Sequence, residues 1–183
     1  MALIHRATLS PTKAELVAAW LPGQPWFDRP VTELKPIAAY RFDDPAGEVG
    51  IESHLYEVGG ELVHVPLTYR GAPLPEAAPW LLGTMEHSVL GTRWAYDAVG
   101  DPVYRAEVSR VIREADSQAR VMVETADGVV EREPWMLVRG SGDGAGSTVV
   151  VVRRPGTEQR TAGALTGTWP GQDTPVTLVY LEA

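Results

Sequence analysis

Cysteine is absent from the 183 residues, which excludes disulfide scaffolds, thiolate zinc sites and cysteine nucleophiles together. The same absence fits a reducing compartment, and the expected location is the cytoplasm. Lysine is nearly absent, with only Lys13 and Lys35; no Lys/Arg cluster occurs, and the net charge is −8. Phosphate backbones and anionic membranes are bound by concentrated positive charge, so neither nucleic acid nor a membrane is an expected partner. No apolar run approaches the roughly 20 residues of a membrane-spanning helix. The N-terminal MALIHRATLS lacks the apolar core of a secretory signal. Alanine, glycine, proline, valine and arginine are plentiful, the bias of a GC-rich genome.

What remains is the composition of an ordinary globular protein, 44% apolar and 22% charged. The length suits one sizeable domain. Residues 2–9 alternate loosely, as a short strand would. Ser10 and Pro11 read as cap and first residue of a helix that presents Leu16, Val17, Trp20 and Leu21 on one face and stops at Pro22-Gly23. The stiff turn after it displays Trp26 and Phe27, whose rings either plug the core or form an aromatic platform for a sugar or a partner protein. Residues 34–43, 49–58 and 61–69 alternate with period two, and Gly59-Gly60 reads as a tight hairpin turn, so the three form an antiparallel meander. That hairpin brings His54 near His64 or Pro66. No third ligand has suitable spacing, so no metal site is expected.

Residues 71–79 read as a proline-rich connection and Trp80-Leu81-Leu82 as an apolar anchor. Residues 92–98 read as extended, and Asp101-Pro102 as the clearest helix start, opening a helix with Val103, Ala106, Val108, Val111 and Ile112 inward. Residues 119–125 and 129–139 read as strands joined at Asp127-Gly128. The glycine-rich run 140–147 reads as a flexible linker, 148–154 and 174–181 as a final strand pair on the same domain, and 155–173 has no clear form. The expected units are thus 1–139, the linker, and 148–183. The fold class predicted is α+β: a curved antiparallel sheet of about six to eight strands with two main helices packed on it.

Motifs for catalysis are weak. Glu86-His87-Ser88 places acid, imidazole and hydroxyl on consecutive residues, which point to opposite faces of a strand, and there is no nucleophile elbow around Ser88. Asp97 and Asp101 flank a helix start, where a turn and a cap explain them. The glycine run lacks the Lys-Ser/Thr ending of a phosphate loop. A kinase catalytic loop and its Mg²⁺-binding aspartate are missing. Glu86, His87 and Asp97 are therefore the catalytic candidates of an enzyme with a pocket in the sheet's concavity. Trp26, Phe27, Trp80, His87, Trp94 and Tyr96 are the candidates for binding a ligand or partner. No cofactor is implied.

Two stretches carry a family resemblance. Trp20-Leu-Pro-Gly-Gln-Pro-Trp26-Phe27 resembles the W-L-P-x-Q-R-W-[FY] opening of actinobacterial maltokinases and related sugar kinases. Arg93-Trp-Ala-Tyr-Asp-Ala-Val-Gly-Asp-Pro-Val-Tyr104 resembles the later part of their N-terminal cap domain. Over its length the chain is similar to the free-standing maltokinase N-terminal cap-like proteins. The resemblance implies a somewhat cystatin-like cap and a setting in maltose, trehalose or glucan metabolism. Pro25 stands where the family has a basic residue, so that charge is lost. The family's catalytic residues lie in kinase lobes that these 183 residues do not contain, so none carries over. The expected role is a non-catalytic module that binds a sugar kinase, a glucan enzyme or a small molecule.

Overall fold

The computed structural model describes residues 2–4, 7–125 and 128–183. In chain order β1 (Ala2–Ile4) and β2 (Leu9–Ser10) precede α1 (Lys13–Trp20) and a 3₁₀ turn at Leu21–Gly23. The meander follows as β3 (Lys35–Asp43), β4 (Gly50–Val58) and β5 (Glu61–Arg70). A 3₁₀ segment, Pro75–Trp80, leads into the hairpin β6 (Leu81–His87) and β7 (Gly91–Asp97), and a short turn opens α2 (Pro102–Arg113). The remaining strands are β8 (Val121–Thr125), β9 (Gly128–Arg132), β10 (Leu137–Gly140), β11 (Thr148–Val151), β12 (Ala164–Trp169) and β13 (Gln172–Glu182).

The main sheet is antiparallel, ordered β2-β6-β7-β5-β4-β3, and curls into a half-barrel. A four-stranded sheet, β10-β12-β13-β11, packs beside it, and β1, β8 and β9 form a third with β1 parallel to β8. The fold class is α+β, as the patterning predicts. Period two explains the meander: Ala38, Tyr40 and Phe42 are buried, while Ala39 between them is exposed. Gly59 and Gly60 hold φ of 58° and 83°, the left-handed pair that a two-residue hairpin turn requires. Central β5 is buried on both faces from Val63 to Tyr69, so it separates two cores.

On one side Tyr40, Phe42, Ile51 and Leu55 pack against Tyr104, Val108, Val111 and Ile112 of α2 and against Leu165 and Leu178 of the second sheet. On the other, Val63, Val65, Leu67, Met85 and Ala95 pack against Leu16, Val17 and Leu21, with Trp20, Trp26 and Phe27 closing the end. Each fully buried aliphatic side chain contributes roughly 1.5–3 kcal/mol. Asp101 caps α2, its Oδ1 accepting from Val103 N at 2.9 Å, and its carboxylate also takes two 2.7 Å bonds from Arg70.

Three expectations change, one lies partly outside the described residues, and one open segment takes form. Thr12, not Ser10, caps α1: it exchanges bonds with Glu15 in a capping box, while Ser10 pairs in β2. Ala106 is exposed on α2, and Tyr104 and Ser109 are buried instead, because the second sheet covers a wider arc of the helix. The expected 129–139 strand breaks: β9 ends at Arg132, and β10 restarts in another sheet after a stretch containing Pro134, which cannot donate to a ladder. The opposing Gly128 pairs with Thr125, whereas Asp127 of the expected turn lies outside the described residues. Residues 155–173 contain β12, which runs between β10 and β13.

The glycine run is fastened rather than loose. Gly142 N donates to Ile112 O at 2.8 Å, Asp143 accepts from Gly163 N at 2.8 Å, and Arg113 donates to the carbonyls of Gly144 and Gly146. A Cβ on Gly140 would sit 2.0 Å from Val111 O, so only glycine allows β10 this close to α2.

Candidate functional site: a cleft along an open strand edge

β3 is a terminal strand of its sheet. Beside it runs a cleft of about 530 Å³, with residues 36–41 of β3 on one side and residues 118–121 and 132–136 on the other. The two walls touch where Ala119 N donates to Arg41 O at 2.8 Å, then diverge. The divergence follows from the strand break above: β8 leaves to pair with β1 and β9, and Pro134 releases Trp135 from any ladder. Trp135 is 59% exposed, the most exposed large apolar residue described, with the Arg132 guanidinium 5.7 Å from its ring centroid.

The opposite end of the cleft is polar. Arg41 faces Glu52 across the β3–β4 pair, and His54 sits two residues along the same face of β4. Glu52 is paired with Lys13 of α1; His54 Nε2 lies 3.4 Å from Glu52 Oε2, and Arg41 Nη1 lies 3.9 Å from Oε1. Burial pushes the Glu52 carboxyl up, but the Lys13 ammonium and the His54 imidazole more than offset it and hold the group well below the usual carboxylate range. Burial and the Glu52 charge push the neighbouring Tyr56 and Tyr69 phenols up, so both stay neutral. The Lys13 ammonium also sits 5.1 Å over the Tyr69 ring. A carboxylate this strongly stabilised in its charged form is a poor general base, because its pKa lies far below any neutral operating pH.

The catalytic and aromatic candidates singled out from the sequence lie elsewhere. His87 Nδ1 accepts the backbone N–H groups of Val89 and Leu90 at 3.2 and 3.1 Å, ordering the β6–β7 turn. Glu86 accepts from the Thr92 hydroxyl at 2.7 Å, and Ser88 ties the turn to Thr8 through two 3.0 Å bonds. Asp97 closes the far end of β7, about 20 Å from His87 at strand rise. It is 3% exposed and paired with Arg153. Glu86, His87 and Asp97 therefore share no cavity.

The aromatic candidates are divided by the sheet. Trp26 and Phe27 belong to the core on the α1 face, with the Arg153 guanidinium 4.7 Å over the Trp26 ring. Trp94 and Tyr96 stand opposite Arg70 and Thr68, on the other face, where the Tyr96 hydroxyl accepts from Leu74 N at 2.8 Å. Trp80 is 37% exposed and lies across Gly100. His54 and His64 also part company: His54 pairs with Val65 and His64 with Leu55, so their rings take opposite faces. Among the described residues no group of three or more potential ligands gathers for a metal. The cleft residues Glu52 and Arg41 carried no motif; His54 stands out in the sequence only as a metal candidate, and Trp135 after Pro134 is not among the candidates.

Residues 20–101 match the maltokinase N-terminal cap domain. The match runs from the last residue of α1 to the cap of α2 and takes in β3 to β7, five of the six strands of the main sheet. It covers under half of the chain. All eight sequence-derived candidates fall inside this cap segment, as do Arg41, Glu52 and His54. The opposite wall of the cleft, including Trp135, lies outside it. No curated protein matches the chain.

Proposed function

We propose that the chain is a non-catalytic, cap-like binding module serving maltose or glucan metabolism, and that it docks a partner protein, a sugar kinase or a glucan enzyme, through the cleft beside β3. One observation carries this reading: the cleft is walled by an open strand edge and an exposed indole, and its carboxylate, Glu52, is held in the charged form by Lys13 and His54 rather than poised as a base. The cap match supplies the metabolic setting. A second reading, favoured by Trp135 at the cleft wall, is a small ligand such as a glucan stacked on the indole.

Calorimetric titration of the full chain separates the two. One arm uses a purified maltokinase-type sugar kinase, the other maltose, maltooligosaccharides and trehalose. Saturable binding to the kinase that falls at least about tenfold in Trp135→Ala, a loss of roughly 1.4 kcal/mol at an interface anchor, supports docking. Binding only to a sugar transfers the site to the second reading. Silence in both arms refutes the proposal.

A further inference from the structure

We propose that the cleft takes an extended segment of the partner as an added strand on β3, with apolar and acidic residues alternating along it. The inference rests on the docking role proposed above and adds what docks and how.

The first support is the direction of the β3 backbone. Arg41 O points away from β4, since it accepts from Ala119 N across the cleft. In an antiparallel strand, alternate residues direct both N–H and C=O to the same side. Ala39, two residues earlier and paired with His54 in the ladder, therefore turns its own N–H and C=O toward the cleft. Ala39 is exposed, and among the described residues no hydrogen bond outside the β3–β4 ladder engages it. Residues 36–41 line the cleft as a continuous run, about 20 Å of strand edge. An exposed edge is a template for pairing, and proteins normally cover or charge it. Here the covering segment makes one bond at Arg41 and then leaves.

Side-chain chemistry chooses the sequence of the occupant. Successive residues of an added strand point to opposite faces of the sheet. Toward one face lie Ala38, Tyr40 and Met136, an apolar wall that Trp135 extends. Toward the other lie Arg41, Glu52 and His54. Lys13 and Arg41 share the one Glu52 carboxylate, Arg41 Nη1 at 3.9 Å from it, and among the described residues Arg41 Nε is buried without a hydrogen-bond partner. Among the described residues two cations thus face one carboxylate here, an excess of one positive charge, while Arg132 and Glu133 at the rim are equal in number and opposite in sign. An acidic side chain beside Arg41, flanked by apolar residues on the other face, is the complement. A neutral sugar would answer neither the strand-spaced backbone groups nor the charge.

The test uses the full chain and random 12-residue peptides displayed on phage. Enriched sequences are expected to alternate apolar with Asp or Glu, and a synthetic winner is expected to protect the Ala39 amide from hydrogen exchange. N-methylating the winner at amides of one alternation only should weaken it about tenfold, because it removes the backbone bonds that face β3. Methylating the other set should not. Arg41→Gln should weaken acidic winners and not their Gln analogues. Winners lacking alternation, an unprotected Ala39, or indifference to both N-methyl sets would overturn strand addition. Competition between winner and kinase decides the link to the docking role: a kinase that binds but is not displaced refutes this inference alone, while paired peptides without any kinase binding refute the named partner and keep the edge site.

Discussion

His64 should make the fold acid-sensitive well above the carboxylate range. The residue lies on central β5 with no exposed surface, its Nε2 3.2 Å from the Tyr40 hydroxyl. Burial disfavours the imidazolium, and the nearby Arg153 guanidinium adds repulsion. Backbone carbonyls of Val152 and Leu178 offset only part of this, so the folded-state pKa is held down to about 3. In the unfolded chain the same imidazole titrates near 6.5. Between these values the unfolded state binds one more proton than the folded state, so stability falls as pH drops from about 6.5 towards 3. The slope is about 1.4 kcal/mol per pH unit and the total about 5 kcal/mol, comparable with the whole stability of a marginal domain.

Urea denaturation at half-unit steps from pH 7 to 5 reads this slope before most carboxylates protonate. The variant His64→Phe, made with Tyr40→Phe so that no hydroxyl is orphaned, should flatten it by about 1.4 kcal/mol per unit. His54→Gln and His87→Gln serve as controls for the other described histidines. An unchanged slope in the double variant, or a His64 imidazole that titrates near 6.5 in the folded protein by NMR, would refute the reasoning.

Asp97→Asn should destabilise rather than inactivate. It strands the buried charge of Arg153, which costs about 3–5 kcal/mol, or very roughly 6–20 °C of Tm for a chain of this length; Asp97→Leu with Arg153→Met should recover most of the loss, and a wild-type Tm in Asp97→Asn would mean the pair does not clasp the two layers. Gly140→Ala should cost about 1–3 kcal/mol or more, because its Cβ collides with backbone at Val111 and Ile112. Gly23→Ala, with open space around it and an ordinary φ, should be neutral by the same calorimetry.

Local features of the fold were legible because they depend on residues close in the chain. Period-two alternation put Ala38, Tyr40 and Phe42 on one face, and the structure buries that face. Gly59-Gly60 set a turn, and Asp101-Pro102 opened a helix, each through one or two residues whose dihedrals and caps leave few alternatives. Ser10 before Pro11 reads as a cap, but Thr12 takes that role because Glu15, three residues after it, completes the capping box. The same local reading grouped Glu86, His87 and Asp97 by sequence proximity. The fold separates them, because a strand that keeps neighbours close also carries its two ends about 20 Å apart.

The cleft is the opposite case. Arg41 meets Glu52 and His54 only through the β3–β4 register, Lys13 joins them only because α1 packs on that face, and Trp135 faces them only because β9 and β10 enter different sheets. None of these distances is encoded by spacing along the chain. Alternation, turns and caps in the sequence thus settled the β3–β5 meander, its hairpin turn, the start of α2 and the α+β class, each of which follows from interactions within a few residues. Which edge stays open, which charges are left over and which glycine run is pinned depended on long-range packing, where backbone register and layer contacts choose among arrangements that the local signals leave equal.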